Sequence, residues 1–108
     1  MNTMELTVKA SDTGEEVTVN PMVAFKCDST ITFYFIDEND RALWLDNGGH
    51  WVVDGERANY GSAEHIDGIS GADDEEVEDY VNDKLASYGF RLGDFDEERG
   101  DRYFLVAL

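Results

Sequence analysis

Apolar side chains that alternate with a period of two, broken every few residues by Asn, Asp or Gly, most limit the folds open to this chain. In MELTVKAS, Leu6, Val8 and Ala10 alternate with Glu5, Thr7 and Lys9, the pattern of a strand with one buried face. SDTGE supplies turn chemistry, and EEVTVN returns with Val17 and Val19 inward, so a hairpin is expected. MVAFKC continues as strand, and its alternation of Val23, Phe25 and Cys27 places Cys27 as a small core residue. TITFYFI, Thr30 to Ile36, is β-branched and aromatic throughout, as a central strand would be. RALWL, HWVVD and ERANY follow as further strands, with turns at DEND, DNGG and DG, which reads as an antiparallel meander.

One segment changes period. Between Asp73 and Tyr88, the residues Val77, Tyr80, Val81, Leu85 and Tyr88 recur at steps of three and four, forming the apolar stripe of an amphipathic helix. Asp73 suits the N-cap, with Glu76 three residues on. Gly89 suits a left-handed C-cap, with Phe90 packing behind it. GSAEHIDGISG reads as a loop or one helical turn, RLGDFDEERGD as a polar, turn-rich loop, and RYFLVAL as a closing strand. The expected fold is α+β, an antiparallel sheet of five to seven strands with one main amphipathic helix packed on one face. A chain of 108 residues fits a single domain, 1–108. Its 42% hydrophobic content, with six Phe, five Tyr and two Trp, sets it apart from a disordered acidic tail. Trp44 and Trp51, on either side of DNGG, are expected in core or cross-strand packing.

The residues that usually carry chemistry form no recognisable motif. Carboxylates abound, but nothing marks one of a pair as desolvated and its neighbour as exposed, as acid–base catalysis requires. Cys27, His50 and His65 do not approach a zinc spacing. DENDRALWLDNG begins like a calcium loop with Asp37 and Asn39 and fails at Arg41 and Ala42. DFDEERGDRYFL offers Asp94, Asp96 and Glu98, but Gly100 is one place late and no glutamate closes the loop. The glycines assemble no phosphate-binding loop. No catalytic residue, metal or cofactor is therefore assigned, and a non-enzymatic protein is expected. A single cysteine allows no internal disulfide, which fits an intracellular compartment. No basic segment followed by a long apolar run opens the chain, so neither a signal peptide nor a membrane span is expected.

Charge is the feature without a local explanation. Twenty-five acids face eight bases, for a net charge of −17, which repels nucleic acid and anionic membranes and favours a basic partner. Acids in the first helical turn interact favourably with the helix dipole, which accounts for Asp73, Asp74, Glu75 and Glu76. It does not account for Glu78, Asp79 and Asp83. Glu75, Asp79 and Asp83 form an i, i+4, i+8 line opposite the apolar stripe, with Cβ atoms roughly 5–6 Å apart, where like charges repel. Lys84 has no acid three or four positions away. From Asp73 to Asp101 there are twelve acids and three bases. A second set, Asp37, Glu38, Asp40, Asp46, Asp54 and Glu56, falls at the turns of the meander. The candidate partner-binding residues are Glu75, Glu78, Asp79, Asp83, Asp94, Asp96, Glu97 and Glu98.

In size, charge, α+β pattern and lack of catalytic motifs, the chain resembles small acidic proteins of phages and mobile elements that mimic nucleic acid. Anti-CRISPR and anti-restriction proteins and the uracil-DNA glycosylase inhibitor belong to that class. The resemblance implies a protein of the cytoplasm of a bacterial or archaeal host. It would bind the basic nucleic-acid-binding surface of an effector, such as a CRISPR–Cas complex, and block DNA or RNA binding by charge mimicry, with Lys and Arg meeting carboxylates instead of phosphates. Three other readings stand beside it: a non-inhibitory module docking a basic partner; a halophile-adapted domain whose acids serve solvation, a reading that three lysines in the whole chain also fit; and a small enzyme using scattered carboxylates, which a strongly perturbed carboxylate in a cleft would support.

Overall fold

In the computed structural model, described for residues 4–59, 61–70 and 73–108, nine strands and one helix form a curled, mixed sheet around a single main core. The strands are β1 (Leu6–Ala10), β2 (Glu16–Val19), β3 (Pro21–Cys27), β4 (Ile31–Asp37), β5 (Arg41–Leu45), β6 (Trp51–Arg57), β7 (His65–Ile69), β8 (Phe90–Phe95) and β9 (Arg102–Ala107). The helix α1 spans Asp74–Ala86. The strand order is β2-β1-β6-β5-β4-β3-β9-β8, and β7 pairs with β4 beside that path. Val8, Val19, Val23, Phe33, Leu43, Val53, Ile66 and Leu105 from the strands meet Val77, Val81 and Leu85 of the helix in one buried cluster. A flat sheet could not bring its two wings onto one helix, so the shared core is what curls the sheet into a half-barrel. Met22, Ala24 and Ile36 form a smaller cluster with Tyr34, Ala58 and Phe104.

This corrects the expected architecture of five to seven antiparallel strands under a main helix. About half of the described residues are strand, and the helix is a short element of 13 residues. The sheet is also mixed, because Lys9 and Ala10 of β1 pair in parallel with Val52 and Val53 of β6. Three local readings fail with it, each for a reason of tertiary approach.

Asp54-Gly55 makes no turn, and β6 runs through it to Arg57. Asp12 of the β1–β2 turn packs where a Cβ on Gly55 would stand, so that glycine marks a close approach and not a reversal. Tyr60, the end of the expected ERANY strand, lies outside the described residues, as do Met1 to Thr3, Gly71 and Ala72. The supposed loop GSAEHIDGISG contains β7, whose Ile66 opposes Phe33 and whose His65 opposes Tyr34. A Cβ on Gly68 would overlap the carbonyl oxygen of Ile31, so only glycine lets β7 lie this close to β4. The supposed polar loop after the helix begins with β8, where Phe90 opposes Ala107 and Leu92 opposes Leu105 of β9.

The helix itself follows its local signals. Asp73 caps it by accepting a hydrogen bond from the Glu76 N–H at 2.9 Å. Gly89 takes φ +86 just beyond its end, a conformation disfavoured for side chains with a Cβ. Val81 and Leu85 are fully buried, each contributing about 1.5–3 kcal/mol of apolar burial. Cys27 departs from expectation: it is exposed. Val23 and Phe25 do reach the core, but the β3–β4 hairpin runs past the core's edge, so the last residue of the alternation meets solvent. Trp51 packs edge-on against Phe35 at 5.2 Å, and Trp44 opposes Val52 across the β5–β6 pair. No helix among the described residues is long and apolar enough to cross a membrane.

Candidate interaction surface

The acids divide by what holds them. Asp37, at the end of β4, is fully buried. It accepts hydrogen bonds from the Asn39 N–H at 2.9 Å, the Arg41 N–H at 2.8 Å and the Arg41 Nε–H at 2.7 Å. Three residues on, Asp40 adopts φ +63, which aspartate tolerates better than most side chains. Its carboxylate meets the guanidinium of Arg102 and lies 3.5 Å from Arg57 and 3.9 Å from Arg99. Arg99 also donates to the Glu38 carbonyl at 2.7 Å, and the Glu38 side chain accepts from the Asn20 N–H. Four of the chain's five arginines, at 41, 57, 99 and 102, are thus gathered about one turn.

Asp96 belongs to this same cluster. It is buried, and it accepts from the Glu98 N–H, the Arg99 N–H and, at 2.9 Å, the Arg99 guanidinium. Burial alone would raise its pKa, but the Arg99 and Glu98 bonds outweigh it and hold the carboxyl below the usual carboxylate value. Burial likewise works against the charge of Arg102, and Asp101 and Asp40 overcome it. At the β5–β6 turn, hydrogen bonds from the His50 and Gly48 N–H groups lower the pKa of Asp46 against its partial desolvation. Glu64, just before β7, joins β5 to the turn after α1: it accepts from the Leu45 N–H at 3.0 Å and from the Tyr88 hydroxyl at 3.1 Å. Burial, followed by the nearby Glu64 charge, raises the pKa of Tyr88. Much of the second acidic set, Asp37, Glu38, Asp40 and Asp46, therefore holds turns together.

The helix row is different. Glu75, Asp79 and Asp83 are exposed, and among the described residues no ion pair or hydrogen bond engages their carboxylates. Lys84 turns away over the Tyr80 ring, 5.4 Å from its centroid. After the helix, β8 packs along α1, and the Asn82 side chain accepts from the Leu92 N–H at 2.8 Å. The start of the helix thereby reaches β9, where Glu78 accepts from the Tyr103 hydroxyl at 3.3 Å. Phe95 stacks edge-on against the same Tyr103 ring, 4.9 Å away.

Of the eight sequence candidates, Glu75, Glu78, Asp79 and Asp83 thus share α1, and Asp94 lies on β8 beside Phe95. Glu97 and Glu98 are exposed in the β8–β9 turn. Asp96 stands apart, because it is buried and ion-paired with Arg99. Sequence reasoning missed Phe95, Tyr103 and Phe25, whose rings meet beside Glu78. The FDEERGDRYF pattern, with an aromatic at each end of an acidic turn, was the signal that could have found two of them.

Two concave regions flank these features. A groove of ≈ 510 Å³ lies between Thr7, Lys9, Glu16, Asp46, His50 and Trp51. A smaller cleft of ≈ 190 Å³ is lined by Phe25, Val77, Glu78, Val81, Leu92 and Tyr103. Among the described residues no group of three His, Cys, Asp or Glu side chains is arranged to hold a metal ion. No protein-family model, curated protein or solved structure matches the chain.

Proposed function

We propose that this protein is an acidic inhibitor that occupies the basic nucleic-acid-binding surface of an effector, such as a CRISPR–Cas complex, and excludes DNA or RNA by charge mimicry. The observation that carries the reading is the segregation of counter-charge. Four of the five arginines, all but Arg91, are spent on Asp37, Asp40, Asp96 and Asp101, while the row Glu75–Asp79–Asp83 faces solvent and, among the described residues, forms no ion pair. Carboxylates about 5–6 Å apart along a helix repel one another, so the row costs stability in the free protein. A partner's Lys and Arg would remove that cost and form charge-assisted hydrogen bonds. Such a protein performs no chemistry and acts stoichiometrically from the cytoplasm that it shares with its target.

The test is fluorescence anisotropy of labelled DNA or guide RNA on a panel of purified Cas effectors and restriction enzymes. Release of the nucleic acid at a one-to-one ratio is expected for at least one effector. Undisturbed binding across the panel at saturating inhibitor counts against the proposal.

Adaptation to high salt is favoured by a separate observation: Asp12, Glu15, Asp28 and Glu56, far from the helix in sequence, are also exposed. Thermal unfolding separates the two. A protein that needs molar KCl to fold carries its acids for solvation, whereas one that is stable in dilute buffer does not.

A further inference from the structure

Charge alone leaves part of this surface unexplained. Phe95 is 41% exposed, and among the described residues the other exposed large hydrophobic is the terminal Leu108. The β8–β9 register shifts between Leu92 and Phe95, and such irregularities re-aim side chains. Here the shift sets Phe95 against Tyr103. Tyr103 in turn lies 5.4 Å from Phe25, and Phe25 is 4.7 Å from the buried Phe33. A line of four rings therefore runs from the core to the surface; two of them, Phe25 and Tyr103, line the ≈ 190 Å³ cleft together with Val77 and Val81 of α1, and Phe95 buttresses the Tyr103 ring at 4.9 Å. Glu78 stands at its edge, accepting a long hydrogen bond from the Tyr103 hydroxyl. Most interface energy resides in aromatic and aliphatic anchors seated in pockets, with charges at the rim setting orientation and encounter rate.

We propose that this cleft receives one apolar side chain of a basic protein segment, whose flanking Lys or Arg residues meet Glu78 and the row Glu75–Asp79. The inference rests on the inhibitor reading and deepens it: the target surface carries an aliphatic or aromatic residue among its cations. Nucleic acid itself has no such residue, so the cleft gives the protein a contact that the displaced strand lacks, and with it selectivity among basic surfaces. Charge complementarity fixes the occupant's flanks, and the cleft's volume, with room for one side chain, fixes its centre.

The probes are two synthetic peptides that differ at one position, a leucine or a serine flanked on both sides by two arginines. Each is titrated into the isotope-labelled protein by NMR at low ionic strength. The leucine peptide is expected to bind about tenfold more tightly and to shift the amides of Val77, Leu92, Phe95 and Tyr103. The serine peptide should shift only the exposed helix residues. Phe95→Ser, a surface change whose fold is checked by circular dichroism, should erase the preference without abolishing binding. Equal affinities, unmoved cleft amides, or no binding of either peptide would overturn the proposal. These outcomes are separable from those of the effector panel. Nucleic-acid release that survives Phe95→Ser sinks the cleft and leaves the inhibitor standing, whereas a peptide preference without any release does the reverse.

Discussion

Asp37→Asn separates acids that build the fold from acids that burden it. The carboxylate is fully buried and accepts from two backbone N–H groups and from Arg41 Nε–H. Asparagine can keep the backbone bonds through Oδ1. Its Nδ2 then faces the Arg41 Nε–H, donor against donor. The loss is one charge-assisted bond, about 1.5–3 kcal/mol, plus a buried NH2 without an acceptor, about 1–3 kcal/mol. The total, about 2.5–6 kcal/mol, brackets the roughly 3–5 kcal/mol cost of breaking other buried ion pairs. Removing one negative charge from a protein at −17 acts in the opposite direction, but that relief is spread over the surface and screened by salt. A 3 kcal/mol loss corresponds to a fall in Tm of roughly 10–20 °C for a domain of this size. Differential scanning calorimetry in dilute buffer, with the exposed Glu56→Gln as a charge-matched control, reads the difference. An Asp37→Asn protein as stable as Glu56→Gln would refute the claim that this acid is structural.

Asp79→Asn should do the opposite. It removes repulsion toward both Glu75 and Asp83, about 0.2–0.5 kcal/mol per pair, and should raise Tm by a few degrees at low ionic strength, with the gain fading in 1 M NaCl. Gly68→Ala should destabilise the protein by about 1–3 kcal/mol, because a Cβ there meets the Ile31 carbonyl oxygen; hydrogen exchange should show loss of protection in β7 and β4 first. Asp96 carries a lowered pKa in the folded state, so the stability it contributes is fully present above the ordinary carboxylate value of 3.8 and is lost as pH falls through the lower folded value. Melting wild type and Asp96→Asn across pH should therefore give curves that are apart at neutral pH and converge well below pH 3.8.

What was legible in the sequence is what short stretches decide alone. The opening hairpin, β4, the Asp73 cap and the Gly89 stop each follow from residues a few positions apart. The elements that escaped depend on distant partners. Gly68 is a turn residue by composition and a strand residue only because Ile31 leaves no space for a Cβ. Asp54-Gly55 looks like a turn until Asp12 is seen packed beside it. The parallel β1–β6 pairing has no local signature, and it turns a meander into a curled mixed sheet. The same holds for the surface. Helical periodicity alone aligns Glu75, Asp79 and Asp83. It could not reveal that Asp96 is tied to Arg99, or that Arg102 reaches Asp40 across 62 residues. Nor could it reveal that an irregular β8 sets Phe95 on Tyr103.

In the proposed role, the helix row serves a basic partner and not the fold. The most direct measurement compares wild type with the triple variant Glu75→Gln, Asp79→Asn, Asp83→Asn for both Tm and the inhibition constant against an effector that wild type displaces from DNA. The prediction is a Tm equal to or above wild type, together with inhibition weakened by at least about tenfold, as expected when several charge-assisted contacts are lost. An unchanged inhibition constant in a well-folded triple variant would contradict it, and would place the binding surface elsewhere on the protein.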